Sequence, residues 1–285
     1  MRTHGVTLSA GTITLREWGE ADGFPLLYWH GLNPFGALEL NEAGPAWAAD
    51  GFRVVAFAAP GIADTHALND LAGYRPAALA DLVVETADAL QLGRFAFVGW
   101  SWGASIGVHL GVRHAARLRA LVLLDAGHTD IPGDAGRTLE DVLAELGDRQ
   151  ERYRFETWQG FFAEARQSRP KWRPALEERL RAGMRESERG IVANADRRAA
   201  AAAWYGLLQQ QPSRTHAELA RVEVPILLVV ASGNDTADQL ERFRRLVPHT
   251  DVRELDSGHD LLADAPDETI ALVSEWVRST VGCPH

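Results

Sequence analysis

Along this chain short apolar runs alternate with stretches whose apolar residues recur every three to four positions. Ile13 to Trp18 alternates apolar and polar side chains, the pattern of a half-exposed antiparallel strand. Phe24 to His30 (FPLLYWH), Arg53 to Phe57, Phe95 to Val98, Ala120 to Asp125 and Val224 to Ala231 are apolar almost throughout. Such runs suit strands buried on both faces of a parallel sheet, and Val252 to Leu255 is predicted as the last of them. Helical spacing predicts helices over Pro76 to Leu90, Ala104 to His114, Ala237 to Leu246 and Ala265 to Val277, with Pro76 and Pro266 at first-turn positions. Alternating strand and helix implies an α/β fold: a mainly parallel, doubly wound sheet with right-handed crossovers.

One interval breaks that rhythm. From Asp125 to Val224 no convincing strand occurs, and residues 130–212 are rich in Ala, Arg, Glu, Gln and Trp at helical spacing (LEDVLAELGDRQERYRFETWQGFFAEARQ, ALEERLRAGMRESERG, RRAAAAAWYGLLQQQ). This reads as a helical cap inserted in the core, so the expected organisation is a core domain of residues 1–129 and 213–285 with a cap of residues 130–212. The 285 residues then suffice for one catalytic domain and its insertion.

Composition narrows the partners. The chain is 46% hydrophobic and 24% charged, which allows a sizeable core and excludes a disordered or fibrous protein. Its formal net charge of −10 sets its field against phosphate backbones and anionic lipid surfaces, so the expected partner is a small molecule, with neither nucleic acid nor membrane. The single cysteine, Cys283, has no intrachain partner, and no apolar run is long enough to span a bilayer. A cytoplasmic protein is expected.

The chemistry concentrates at strand ends. Gly99-Trp100-Ser101-Trp102-Gly103 (G-x-S-x-G) follows the strand Phe95 to Val98 and precedes a helix. A serine hydroxyl becomes a nucleophile only when it stands clear of the backbone beside a base, and a tight strand-to-helix turn with small flanking residues provides this. Gly103-Ala104-Ser105-Ile106-Gly107 fits the same pattern, but Ser105 lies a turn inside the helix and is read as structural. His259, in Asp256-Ser257-Gly258-His259-Asp260 after the last strand, can reach Ser101 from the carboxyl ends of the strands. For the acid that orients the imidazole, Asp235 in Ser232-Gly233-Asn234-Asp235 gives the chain order Ser, Asp, His. It is preferred to Asp125, which sits at the end of the preceding strand and could also reach the histidine; as a structural residue Asp235 would cap the following helix. His30-Gly31-Leu32-Asn33-Pro34 closes the strand Phe24 to His30, and its glycine turn can aim backbone N–H groups at a developing oxyanion. The donors are assigned to the amides of Leu32 and Trp102, with the His30 side chain structural.

These features in this order resemble the α/β-hydrolase superfamily, over nearly the whole chain. The resemblance implies a Ser101, Asp235, His259 triad acting without cofactor or metal, and a serine nucleophile sets the chain apart from the aspartate-dependent dehalogenase and epoxide-hydrolase branches. Two positions depart from the family pattern: Ala58 stands where an Asp often precedes the Pro60-Gly61 turn, and Ser232 stands where the acid motif usually begins with glycine.

Trp29, Trp100, Trp158 and Trp204 are candidate substrate-binding residues, and Phe35, Phe161, Phe162 and Tyr205 could also approach the site. Together they suggest an apolar pocket. The cap arginines Arg181, Arg185, Arg189, Arg197 and Arg198 alternate with acids and read as a solvated face rather than an anion site. The leading expectation is hydrolysis of a carboxylic ester, a lactone or thioester included. The Trp after the serine also resembles proline iminopeptidases, which would need a cap carboxylate such as Glu156 or Glu164 for an amino terminus. Carbon–carbon bond hydrolysis uses the same triad, and a ligand-binding receptor with vestigial turnover is the alternative outside catalysis.

Overall fold

The computed structural model describes residues 1–63, 65–134, 136–152, 154–169, 171–233 and 236–282. Its strands are β1 (Arg2–Leu8), β2 (Gly11–Trp18), β3 (Phe24–Trp29), β4 (Phe52–Ala58), β5 (Phe95–Trp100), β6 (Leu118–Leu124), β7 (Met184–Ser187), β8 (Gly190–Ala193), β9 (Ile226–Ala231) and β10 (Thr250–Leu255). Eight of them make one sheet in the order β1-β2-β4-β3-β5-β6-β9-β10. β2 runs antiparallel to β1 and β4, and every other neighbouring pair is parallel. The continuous apolar runs are the central strands, with β5 and β9 buried along their whole length, whereas alternating β2 alternates in burial. β1, which the hydrophobic pattern does not reveal, is an exposed edge strand with little to bury.

The helices are α1 (Ala43–Ala49), α2 (Pro76–Ala89), α3 (Trp102–His114), α4 (Leu139–Arg152), α5 (Trp158–Gln167), α6 (Pro174–Ala182), α7 (Arg197–Gln209), α8 (His216–Leu219), α9 (Ala237–Leu246), α10 (Leu261–Asp264) and α11 (Pro266–Val281). Side chains alternate across each strand, so Phe95 and Phe97 of β5 join one core with α2 and α3, while Ala96 and Val98 join a second with α1 and α11. From β3 the chain steps to β4 on one side, and β5 leads to β6 on the other. That reversal opens a crevice beyond the carboxyl ends of β3 and β5, where the His30-Gly31 turn and Ser101 lie.

Between β6 and β9 the chain carries α4 to α8, and also the β7–β8 hairpin within residues 130–212, so the expectation of an all-helical segment is corrected. The run ALEERLRAGMRESERG stops being helical at Ala182 despite its helix-favouring Glu and Arg. The backbone at Gly183 lies against the Phe35 ring, Ile191 exchanges backbone hydrogen bonds with Phe155 at 2.7 and 3.2 Å, and Ser187 Oγ donates to Gly190 O at 2.8 Å. Packing overrides local propensity here. Where this segment leaves and rejoins the sheet, Ser213 N and Oγ donate to the Asp130 carboxylate at 2.9 and 2.6 Å. Further along, Asp196 N donates to Gly61 O at 2.7 Å, and Arg173 forks onto Glu42 and reaches the carbonyls of Leu262 and Ala263. No helix among the described residues is long and apolar enough to cross a membrane.

Candidate active site

β5 ends at Trp100 and α3 begins at Trp102, so Ser101 alone makes the turn, at φ 53° and ψ −109°. A non-glycine residue in the left-handed region holds on the order of 1–3 kcal/mol of strain, sustained by its surroundings. Those surroundings require the two flanking glycines: a Cβ on Gly99 would lie 2.2 Å from Gly103 O, and one on Gly103 would lie 2.1 Å from Trp29 O. Ser101 N donates to Leu124 O at 3.0 Å, pinning the turn to β6. Ser105, the second match to the motif, is buried inside α3.

His259 faces this serine, with Nε2 3.0 Å from Ser101 Oγ. Its Nδ1 lies 2.6 Å from Oδ2 of Asp125, the residue that follows β6, at φ 49°. The aspartate side chain is 1% exposed and the histidine 49%, so the pair has a dry end and an open end. Asp125 Oδ1 accepts the Ala231 N–H at 2.8 Å, and Asp125 N donates to Val229 O at 2.7 Å. A carboxylate at Nδ1 fixes the proton there and leaves the Nε2 lone pair facing the serine hydroxyl. Asp235, the preferred acid in the sequence reading, lies outside the described residues; among those described, the carboxylate on the imidazole is Asp125. Trp100 steadies the histidine from below, its Nε1 donating to His259 O at 2.8 Å.

The turn after β3 is organised from beneath. His30 Nε2 accepts the Ala59 N–H at 3.0 Å, so its proton is on Nδ1 and is donated to Gly31 O at 2.6 Å. Burial pulls its pKa down to about 4, which keeps it neutral and structural. Glu39 is the centre of the turn: Tyr28 Oη donates to it at 2.6 Å, Gly31 N reaches it at 3.4 Å, and Asn33 Nδ2 donates to its other oxygen. Burial pushes this carboxyl up to about 7, with Arg179 of α6 acting in the opposite direction from 3.6 Å. The same guanidinium grips Asp260 at 2.7 and 3.3 Å. Burial works against the Arg179 charge, and the Asp260 and Glu39 carboxylates more than offset it. One buried ionic cluster thus joins α6, the turn after β3 and the residue after His259. Above it, the Leu32 and Trp102 amides donate to no acceptor among the described residues.

The family model for the alpha/beta hydrolase fold matches residues 25–266. This chain belongs to the alpha/beta hydrolase fold family. A putative non-heme haloperoxidase of Mycobacterium phage D29 is 34% identical over 104 residues, which are 36% of this chain and 36% of that protein. Among solved structures, E-2-(acetamidomethylene)succinate hydrolase superposes with a TM-score of 0.78 at 22% identity, covering 97% of this chain and 98% of the other. The N-formylmaleamic acid deformylase of Pseudomonas putida S16 gives a TM-score of 0.72 at 21% identity over 96% and 100% of the two chains.

In this chain the tryptophans are placed otherwise than the sequence suggests. Trp29 is fully buried, stacked on Phe57 and edge-on to Trp102. Trp158 stacks on Phe162 and donates to Glu186 at 2.7 Å, and Trp204 packs where α4 meets α7. Of the four, Trp100 is the one in contact with His259 among the described residues. A cavity of about 1070 Å³ lies beside the turn after β3, lined by Pro34 and Phe35 and walled by α5, the β7–β8 hairpin and the start of α7. Arg154, Arg169, Arg185, Arg189 and Arg197 line it. Three of these, Arg185, Arg189 and Arg197, stood among the arginines read as a solvated face; they are exposed and also border a concavity that helical spacing could not reveal. Among the described residues no group of three or more His, Cys, Asp or Glu side chains is arranged to hold a metal.

Proposed function

We propose that this hydrolase cleaves a carboxylic ester through an acyl-enzyme on Ser101, with His259 as the base and then the acid, and with Asp125 rather than Asp235 orienting the imidazole. The contiguous contacts of 3.0 Å from Ser101 to His259 and 2.6 Å from His259 to Asp125 carry this reading. His259 Nε2 takes the hydroxyl proton as Oγ attacks the ester carbonyl, and buried Asp125 stabilises the imidazolium that forms. The Leu32 and Trp102 amides receive the negative charge that moves onto the carbonyl oxygen. Collapse expels the alkoxide, which takes the proton from His259. Water, deprotonated by the same nitrogen, then attacks the acyl-enzyme and releases the acid. Residues 130–212 serve as a cap over the core of residues 1–129 and 213–285, and the Asp130–Ser213 contact at its base supports that division.

An amino-terminal peptide substrate fits less well, because Glu156 does not line the cavity and Glu164 stands there among arginines. The proposal is tested by turnover of short p-nitrophenyl esters by the wild type and Ser101→Ala. Loss of about 10³-fold or more in kcat/KM is expected. Equal rates would remove the serine mechanism.

A further inference from the structure

The cavity beside the turn after β3 has a charge pattern at odds with the molecule around it. The chain carries a net charge of −10, yet five arginines line this wall against three acids, Glu164, Glu188 and Asp196. Some of these charges are already engaged. Arg169 lies 3.5 Å from Asp260, and Asp196 caps α7 through Ala199 N at 2.8 Å. Arg185 and Arg197 make no ion pair among the described residues. They are held by different elements: Arg185 by β7, opposite Val192 of β8, and Arg197 by the first position of α7.

We infer that the substrate carries a carboxylate at the far end of its acyl chain, bound in this cavity by Arg185 and Arg197 while the scissile ester lies at Ser101. This deepens the proposed function and rests on Ser101 being the nucleophile. A guanidinium presents paired N–H donors that match the two oxygens of a carboxylate. Pro34 and Phe35, which follow Leu32 in the turn after β3, line the cavity, so the turn that carries the Leu32 amide also borders this space. Phe35, Phe155, Phe161 and Met184 give its carbon chain an apolar wall. Two guanidiniums free of carboxylates, with three acids close by, suit one negative charge better than the double charge of a phosphate.

The test pairs esters of equal acyl length, mono-p-nitrophenyl adipate and p-nitrophenyl hexanoate, with the wild type, the double variant Arg185→Gln/Arg197→Gln, and Arg244→Gln on exposed α9 as a charge control. The double variant is expected to raise KM for the adipate ester about 10- to 100-fold more than for the hexanoate ester, the range for a lost charge-assisted hydrogen bond. The control should leave the ratio as in wild type. Binding of adipate to Ser101→Ala, read by calorimetry, should be lost when the two arginines are also replaced. An unchanged ratio together with unchanged adipate binding overturns the inference, as does tighter binding of inorganic phosphate than of adipate. If Ser101→Ala hydrolyses both esters at the wild-type rate, the nucleophile assignment fails, and calorimetry on that variant still reports on the arginines.

Discussion

Asp125→Asn is expected to abolish the proposed ester hydrolysis while leaving the fold intact. In the native site one carboxylate oxygen accepts the Ala231 N–H at 2.8 Å, and the other meets His259 Nδ1 at 2.6 Å. Asparagine has a single acceptor oxygen for these two positions. Ala231 is buried, so turning the amide nitrogen toward its N–H would strand a donor at about 1–3 kcal/mol. The oxygen therefore stays on Ala231 and the NH2 faces His259. The imidazole must then accept at Nδ1 and carry its proton on Nε2, where it blocks removal of the Ser101 proton. The same exchange in a serine-protease triad lowers turnover on the order of 10⁴-fold, about 5.5 kcal/mol of transition-state stabilisation. Steady-state kcat/KM on a p-nitrophenyl ester measures the loss, and a urea midpoint close to wild type shows that the site and not the fold has failed. Activity retained within about tenfold of wild type, alongside collapse in Asp235→Asn, would refute the reasoning.

Two further outcomes follow from the turns that build the site. Gly103→Ala places a Cβ 2.1 Å from Trp29 O, a backbone atom that cannot swing aside, so α3 must move away from β3. A loss of about 3 kcal/mol or more in urea unfolding is expected, and an unchanged midpoint would contradict the close approach. Glu39 has its carboxyl raised by burial from 4.5 to about 7. A folded value above the unfolded one means that the stabilisation from holding the proton is complete below about pH 4.5 and is lost as pH rises to about 7. Wild type should therefore lose stability relative to Glu39→Gln across that window and run parallel to it above; a difference independent of pH would contradict this.

The sheet and the tight turn at Ser101 were legible because each rests on a local signal. Continuous apolar runs mark strands buried on both faces, and G-x-S-x-G states the steric demand of the turn, since both glycines have backbone where a Cβ would be. The carboxylate that meets His259 was not legible. β6 and β9 are parallel, hydrogen-bonded neighbours in the sheet, so the chain leaves both strands at the same end of it, and chain order alone cannot choose between the acids that follow them. Burial of Asp125 and its contact with Ala231 are properties of the assembled sheet. Between β6 and β9 the difficulty is different. Glu and Arg favour helix in isolation, and only the packing of Gly183 on Phe35 and of Ile191 on Phe155 turns MRES into a strand. The placement of Arg185 toward the cavity follows from that hairpin. The tryptophans misled for the ordinary reason that large aromatic side chains are more often core than pocket. Glu39 had no motif at all; its role appears only once the turn after β3 and α6 meet around it.

The central claim is that Ser101 is the nucleophile and is activated through His259. Treating the protein with a fluorophosphonate and mapping the adduct by peptide mass spectrometry tests it most directly. One adduct per chain on Ser101 is expected, absent in Ser101→Ala and formed far more slowly in His259→Asn. Labelling at Ser105, or ester turnover by a protein whose Ser101 stays unmodified, would contradict it.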